Sequence, residues 1–317
     1  MTHSALAQLS WDHTVPRHLV HRRSVAEVLL TDARRLADDR FLVAAQWPLR
    51  HSDFHRDPDG RHDPVFAAET IRQIGLLVPR TFLGVPEDAV VVIRTVGFRL
   101  DAEVEPRALH GASDILCDVE VHGIRHTRRV TWPAALNMRV TFSAAGRTFG
   151  TAEGRLRALT ATEYAAVRGG CPPVADAAVR GAVVGAVAGG ALAEGAVKRP
   201  SPAEVGVAGP GGVMLRYGAA GALYVDPADR GHPLFFDHPS DHISGMVLLE
   251  AVRQAACLAR GTGPARPASC RFAADRFTEW DRPALVECAT TEGAWDCRIV
   301  QDGAVTATGR LRFHAPV

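Results

Sequence analysis

The chain carries a version of its own sequence, and that duplication constrains its fold more than any other feature. Glu69-Thr70-Ile71-Arg72-Gln73 recurs as Glu250-Ala251-Val252-Arg253-Gln254, and Ser24-Val25-Ala26-Glu27-Val28 recurs as Ser201-Pro202-Ala203-Glu204-Val205, at offsets of 181 and 177. A third pair, Gly154-Arg155-Leu156-Arg157 and Gly309-Arg310-Leu311-Arg312, has an offset of 155, so the second copy is 26 residues shorter between these last two landmarks. Order is kept while one connection contracts, which is how a duplicated folding unit drifts. The 317 residues then divide naturally into two units of roughly 150 each. Between them, Thr160 to Pro202 is rich in Ala, Gly and Val and is punctuated by Cys171-Pro172-Pro173 and Arg199-Pro200-Ser201-Pro202, the composition of a connector. One short helix is expected from Val174 to Val197. The boundaries expected are 1–16 for an N-terminal tail, 17–159 for the first domain, 160–198 for the connector and 199–317 for the second domain.

Each copy reads as a strand pair, a loop, one long apolar helix and then several strands. In the first, Phe41 to Ala45 is a strand and His51 to Asp63 a loop, after which Asp63 and Pro64 start a helix that is apolar nearly all round from Val65 to Val78. Pro79 and Gly84-Val85-Pro86 are expected to end it. Val90–Val96, Ser113–Val121, Leu136–Ser143 and Thr148–Leu156 follow as strands. The second copy gives a strand over Ala222–Val225, a helix from Ser244-Gly245 to Ala259, and strands over Val286–Thr290, Ala294–Val300 and Val305–Phe313. The fold class is α+β: a buried helix wrapped by an antiparallel sheet is the hotdog arrangement, and two in tandem would pair as a pseudo-dimer.

Each buried helix carries one polar stripe. Glu69, Arg72 and Gln73 stand at i, i+3 and i+4, and so do Glu250, Arg253 and Gln254. A buried ion costs several kcal/mol unless it is paired, so a stripe written twice requires either compensation or use. The structural alternative is a Glu–Arg pair that satisfies itself or joins the two halves. In the functional alternative, the shielded carboxylates Glu69 and Glu250 gain proton affinity and act as acid or base near neutral pH. Arg72 and Arg253 then clamp a phosphate or an oxyanion, and Gln73 and Gln254 add hydrogen bonds. Amides after Ser244 and Gly245 point outward from the helix start, where glycine lets a thioester carbonyl approach. The preceding loop, Asp237-His238-Pro239-Ser240-Asp241-His242, places His242 two residues before the cap as a candidate base, with Asp241 beside it.

Other chemistries find no support. Lys plus Arg total 36 against 35 Asp plus Glu, a balance that disfavours a nucleic-acid binder. The six cysteines never form CxxC and read as buried free thiols. His51, His55 and His62 lie among Asp53, Asp57, Asp59 and Asp63, but the spacing matches no compact zinc site, so no metal is expected. GxGxxG, P-loop and GxSxG patterns are missing, and no cofactor is expected. Met1 to Val20 lacks the apolar core of a signal peptide, and the uncharged run Gly181 to Ala193 is too short to span a bilayer. A cytoplasmic enzyme with no membrane association is expected. The basic run Arg125-His126-Thr127-Arg128-Arg129 reads as a solvated turn or a dock for an acidic carrier protein.

Taken as one signature, the run from Phe236 to Ala256 resembles the A-factor synthase (AfsA-type) hotdog family of gamma-butyrolactone biosynthesis proteins. Val20-His21-Arg22 and the run from His62 to Gln73 are similar to its first-half signatures, and Arg276-Phe277-Thr278-Glu279-Trp280-Asp281-Arg282-Pro283 to a third segment. The resemblance spans essentially the whole chain. It implies transfer of a β-ketoacyl group from an acyl-carrier-protein thioester to the hydroxyl of dihydroxyacetone phosphate. In that scheme Glu69 or Glu250, with His242, removes the hydroxyl proton. The Gly245 end of the helix polarises the carbonyl, Arg72 or Arg253 holds phosphate, and apolar helix faces line an acyl tunnel. Glu69→Gln and Arg253→Ala would then abolish ester formation without changing melting. A hotdog thioesterase or dehydratase and a non-catalytic acyl-binding protein stay open as alternatives, and so does a homodimer.

Overall fold

The computed structural model describes residues 9–51, 54, 59–108, 111–169, 197–261 and 266–314. Residues 174–196 of the helix expected over Val174–Val197, together with Cys171, Asp53, His55 and Asp57, lie outside the described residues. The chain separates into two compact units, one made of the described residues 9–51, 59–108 and 111–169 and the other of 197–261 and 266–314 together with Phe54.

In the first unit β1 (Leu30–Arg35), β2 (Arg40–Trp47), α1 (Val65–Phe82), β3 (Val90–Leu100), β4 (Ser113–Arg125), β5 (Ala135–Ala144), β6 (Arg147–Leu159) and α2 (Ala161–Val167) follow in that order. The strands line up as β1-β2-β4-β5-β6-β3, each antiparallel to its neighbour. The second unit holds α3 (Pro202–Val205), β7 (Leu215–Tyr217), β8 (Leu223–Val225), α4 (Gly245–Arg260), β9 (Pro267–Ala274), β10 (Leu285–Thr291), β11 (Ala294–Gln301) and β12 (Ala304–Phe313). Its strands line up as β7-β8-β10-β11-β12-β9, again all antiparallel. Matched strand for strand in chain order, the two units have the same topology, so the sequence repeat is a repeat of fold.

Side chains alternate between buried and half-buried along β4 and between buried and mostly exposed along β6, so one face of the sheet is turned to the core and the other toward water. The buried face is covered by the central helix, whose Ile71, Ile74 and Leu77 are fully enclosed. Trp47 anchors the other end of this core against Phe66, Phe142 and Phe149, and its indole N–H donates to Thr70 Oγ1 at 2.9 Å. The third repeated motif is explained by packing. Gly154 of β6 lies under Ile71, and the matching Gly309 of β12 lies under Val252, the residue that corresponds to Ile71 at the helix offset. Each glycine lets its helix settle onto the sheet. A Cβ at Gly309 would come to 2.4 Å from Val252 Cγ1, whereas at Gly154 it would meet the flexible end of Met138 at 3.3 Å. Gly309→Ala is therefore expected to cost about 1–3 kcal/mol and Gly154→Ala distinctly less, read as a difference in melting temperature.

Two local expectations need correction. Helix α1 does not stop at Val78 but continues to Phe82 with Pro79 inside it. Proline removes one N–H, yet the last turn is held because Phe82 stacks on Phe41 at 5.2 Å and the N–H groups of Leu83 and Val85 both reach Pro79 O at 3.1 Å. The cysteines are also not all free. Cys288 and Cys297 are bonded to each other, being directly opposite in the β10–β11 hairpin with Cα atoms 4.1 Å apart. Cys117, Cys257 and Cys270 are buried and stand outside any disulfide. Among the described residues no helix is long and apolar enough to cross a membrane.

Candidate active site

The helix stripes form as their spacing requires, but each is tied into its own unit more tightly than a local pair. Glu69 is fully buried. Its Oε1 accepts from Arg22 Nη2 at 2.6 Å, Gln73 Nε2 at 2.7 Å and Arg72 Nη2 at 2.9 Å, and its Oε2 accepts from Arg72 Nε at 2.8 Å. Burial by itself would raise the carboxyl pKa, but the Arg22 and Arg72 charges and the donated hydrogen bonds outweigh it and hold Glu69 at about 2, below the ordinary 4.5. The expected gain in proton affinity is thus reversed for Glu69. It is a fixed anion at neutral pH, too weak a base to take a hydroxyl proton.

Gln73 uses its amide as a staple. Nε2 donates to Glu69 Oε1 and to Glu27 O at 2.8 Å, while Oε1 accepts from Leu29 N at 3.0 Å, one residue before β1. Gln254 repeats this: Nε2 donates to Glu250 Oε1 at 2.8 Å and to Gly212 O at 2.7 Å, and Oε1 accepts from Met214 N at 2.8 Å, one residue before β7. Both amide hydrogens of each glutamine are spent inside the protein, where they join the helix to the segment that leads into the first strand. Arg253 directs its fork at its own neighbour, with Nε on Glu250 Oε2 at 2.8 Å and Nη2 on Oε1. Arg72 does likewise to Glu69. The guanidinium edges expected to grip phosphate are both turned onto carboxylates.

Because the folded-state value of Glu69 is depressed, its contribution to stability is complete above about pH 4.5 and is lost as the pH falls toward 2. The shift corresponds to about 3 kcal/mol. Urea midpoints should hold steady down to pH 5 and then drop, with Glu69→Gln lacking this component.

The loop before α4 has a different character. His242 Nδ1 lies 2.6 Å from Asp241 Oδ1, and the ring meets the edge of Phe277 at 4.7 Å between centroids. The adjacent Ile243 N–H donates to Thr278 O at 2.8 Å, which ties this loop to the segment that carries Phe277. The carboxylate fixes Nδ1 as the protonated nitrogen and leaves Nε2 as the acceptor, the arrangement of a general base with an orienting group. The His242 side chain keeps 25% of its surface exposed and that of Asp241 11%. Ser244 caps the helix through Val247 N at 3.4 Å, and Gly245 is exposed with nothing nearer its Cβ position than Phe272 at 3.9 Å. Asp241, His242 and Gly245 are therefore adjacent at one helix start, whereas the glutamates lie in the core.

With this geometry in view, the comparisons are specific. The AfsA pattern, described as an A-factor biosynthesis hotdog domain, matches residues 5–160 and 227–315. The chain belongs to the AfsA family. Two curated relatives carry the name 2-oxo-3-(phosphooxy)propyl 3-oxoalkanoate synthase. The one from Streptomyces virginiae is 34% identical over 86% of each chain, and the one from Streptomyces griseus is 32% identical over 89% of this chain and 87% of its own. Among solved structures, an acyl-ACP thioesterase from Bacteroides thetaiotaomicron aligns over 86% of this chain and 98% of its own, with 11% identity and a TM-score of 0.49. In this AfsA protein both stripes and the His242 loop fall inside the matched segments. Arg22, 47 residues before Glu69, was not assigned a site role from the sequence; the only signal for it was its place in Val20-His21-Arg22.

Proposed function

We propose that this protein is an acyltransferase that moves a β-ketoacyl group from an acyl-carrier-protein thioester to the hydroxyl of dihydroxyacetone phosphate, a step of gamma-butyrolactone-type signal biosynthesis. The observation that carries this reading is the Asp241–His242 pair at the start of α4, in a chain about a third identical to two synthases whose name describes that phosphorylated ester. His242 Nε2 takes the proton of the acceptor hydroxyl as its oxygen attacks the thioester carbonyl, and the Gly245 end of α4 stabilises the charge on the carbonyl oxygen. The carbon–sulfur bond then breaks, and the leaving thiolate recovers the proton from the imidazolium. Thioester plus alcohol becomes ester plus thiol, with no redox change and no cofactor.

Glu69, Arg72 and Gln73, and their counterparts Glu250, Arg253 and Gln254, serve as the internal frame that fixes each helix to its sheet. In domain terms, the reading takes 17–159 and 199–317 as tandem hotdogs joined by 160–198 and paired as a pseudo-dimer in the cytoplasm. Incubating the protein with a β-ketoacyl carrier thioester, with and without dihydroxyacetone phosphate, tests the function by mass spectrometry. An ester that appears only with the triose phosphate is expected. Free acid or a dehydrated thioester would replace the reading by a thioesterase or dehydratase, and bound substrate alone would leave an acyl-binding protein.

A further inference from the structure

We infer that the two repeats have divided their labour: proton transfer belongs to the second repeat alone, at His242 and Asp241, and the first repeat is a non-catalytic frame. This rests on the acyl-transfer reading for its substrate but on the internal repeat for its argument. The offset of 181 that aligns Glu69 with Glu250 aligns Arg61 with His242 and Gly60 with Asp241. Arg61 is protonated at every physiological pH and cannot accept a proton. It is also engaged, with Nη1 on Asp59 Oδ2 at 2.6 Å and Nε on Ala102 O at 3.0 Å. Gly60 has no side chain to orient anything.

The imidazole beside that position in the sequence, His62, aligns with Ile243 and takes the same inward place. It is 2% exposed, bonded through Nε2 to Ser113 Oγ at 2.8 Å and enclosed by Trp47 and Phe66. Ile243 is 3% exposed. His62 is thus the counterpart of a core residue and not of the base.

The helix starts differ in the same sense. Ser244 and Gly245 of the second repeat align with Asp63 and Pro64 of the first. Pro64 has no N–H to offer, and Val65 N is already taken by the Asp63 carboxylate at 2.9 Å, whose charge opposes a developing oxyanion. In the second repeat the cap is a neutral hydroxyl, and among the described residues no protein acceptor takes the Gly245 or Met246 N–H. The buried frame has diverged as well. Arg22 supports Glu69, but Arg199, its counterpart at the offset of 177, bonds to Asp226 Oδ2 at 2.6 Å and to Asp226 O. Base, orienting carboxylate and helix-end amides therefore coincide in one copy, whereas the aligned positions of the other, among the described residues, hold none of them; the imidazole–carboxylate pair of the first unit, His51 and Glu27 at 3.3 Å, stands away from those positions in the sequence.

The test follows thiol release and ester formation from a β-ketoacyl carrier thioester and dihydroxyacetone phosphate for wild type, His242→Gln, Asp241→Asn and Arg61→Gln, each with its melting curve. Arg61→Gln should stay within threefold of wild type. His242→Gln should lose at least a hundredfold, and Asp241→Asn should lose kcat at unchanged KM with an altered acid limb in its pH profile. If Arg61→Gln fails to fold, Arg61→Lys, which keeps the charge, takes its place with the same threefold limit. An Arg61 variant that melts normally yet loses as much as His242→Gln overturns the division of labour, and so does a His242→Gln protein keeping a tenth of wild-type activity. If wild type hydrolyses the thioester and makes no ester, the acyl-transfer reading fails, and the same variants judge the division of labour on hydrolysis. A wild type that releases no thiol overturns both.

Discussion

Ester formation by His242→Gln is expected to fall by about 10²–10⁴-fold, the range typical of losing a general base, with unchanged melting and circular dichroism. The loss should appear in kcat, because glutamine occupies nearly the same volume and can still donate to Asp241 but cannot hold a proton in the transition state. Folding should be indifferent for a separate reason. The ring is partly exposed, its one polar partner among the described residues is the neighbouring Asp241, and its contact with Phe277 is at the edge. Initial rates over a range of substrate concentrations, with melting curves beside them, check both points, and a variant retaining wild-type kcat removes His242 from the mechanism.

Glu69→Gln should act in the opposite way, on the fold before the chemistry. Arg22 and Arg72 converge on this carboxylate, with side chains 1% and 12% exposed, and a neutral amide leaves the two cations facing each other in the core. Removing one partner from such a buried cluster costs about 3–5 kcal/mol, a large share of what holds a domain together. Loss of activity in this variant is therefore expected to accompany a large fall in melting temperature. At pH 3 the difference from wild type should shrink, because below the ordinary 4.5 the carboxyl takes up a proton in the unfolded parent chain while the folded protein still holds it charged, so the stability that the charge contributes is being lost. Chemical denaturation of both proteins at pH 7 and pH 3 checks this. A Glu69→Gln protein that melts like wild type but makes no ester would restore the glutamate to the chemistry.

The contrast between these residues shows where sequence reading reached and where it stopped. Spacing alone put Glu69 beside Arg72 and Gln73, because i, i+3 and i+4 share a helical face whatever the rest of the chain does. It could not say that Arg22 would arrive from 47 residues away, and that arrival is what turns a shielded carboxylate from a base into a fixed anion. The glutamines show the same limit. They were legible as polar residues on a buried helix, but their partners, Leu29 and Met214, are chosen by how the segment before the first strand crosses the helix. Cys288 and Cys297 carry no pairing signal in the sequence, since nine residues of separation make no motif; pairing follows from the hairpin register that sets them face to face.

By itself the sequence determined the duplication, the order of elements in each copy, the two central helices with their polar faces, and the loop that carries Asp241 and His242. These are local or periodic properties, written in neighbouring residues and repeated at constant offsets. The tertiary structure alone decided which charges meet, which glutamine atoms are spent, and that the inward place of His62 belongs to a core residue in the other copy. Those outcomes depend on contacts between segments far apart in the chain, where packing selects the partner and low dielectric surroundings set the strength of each charge.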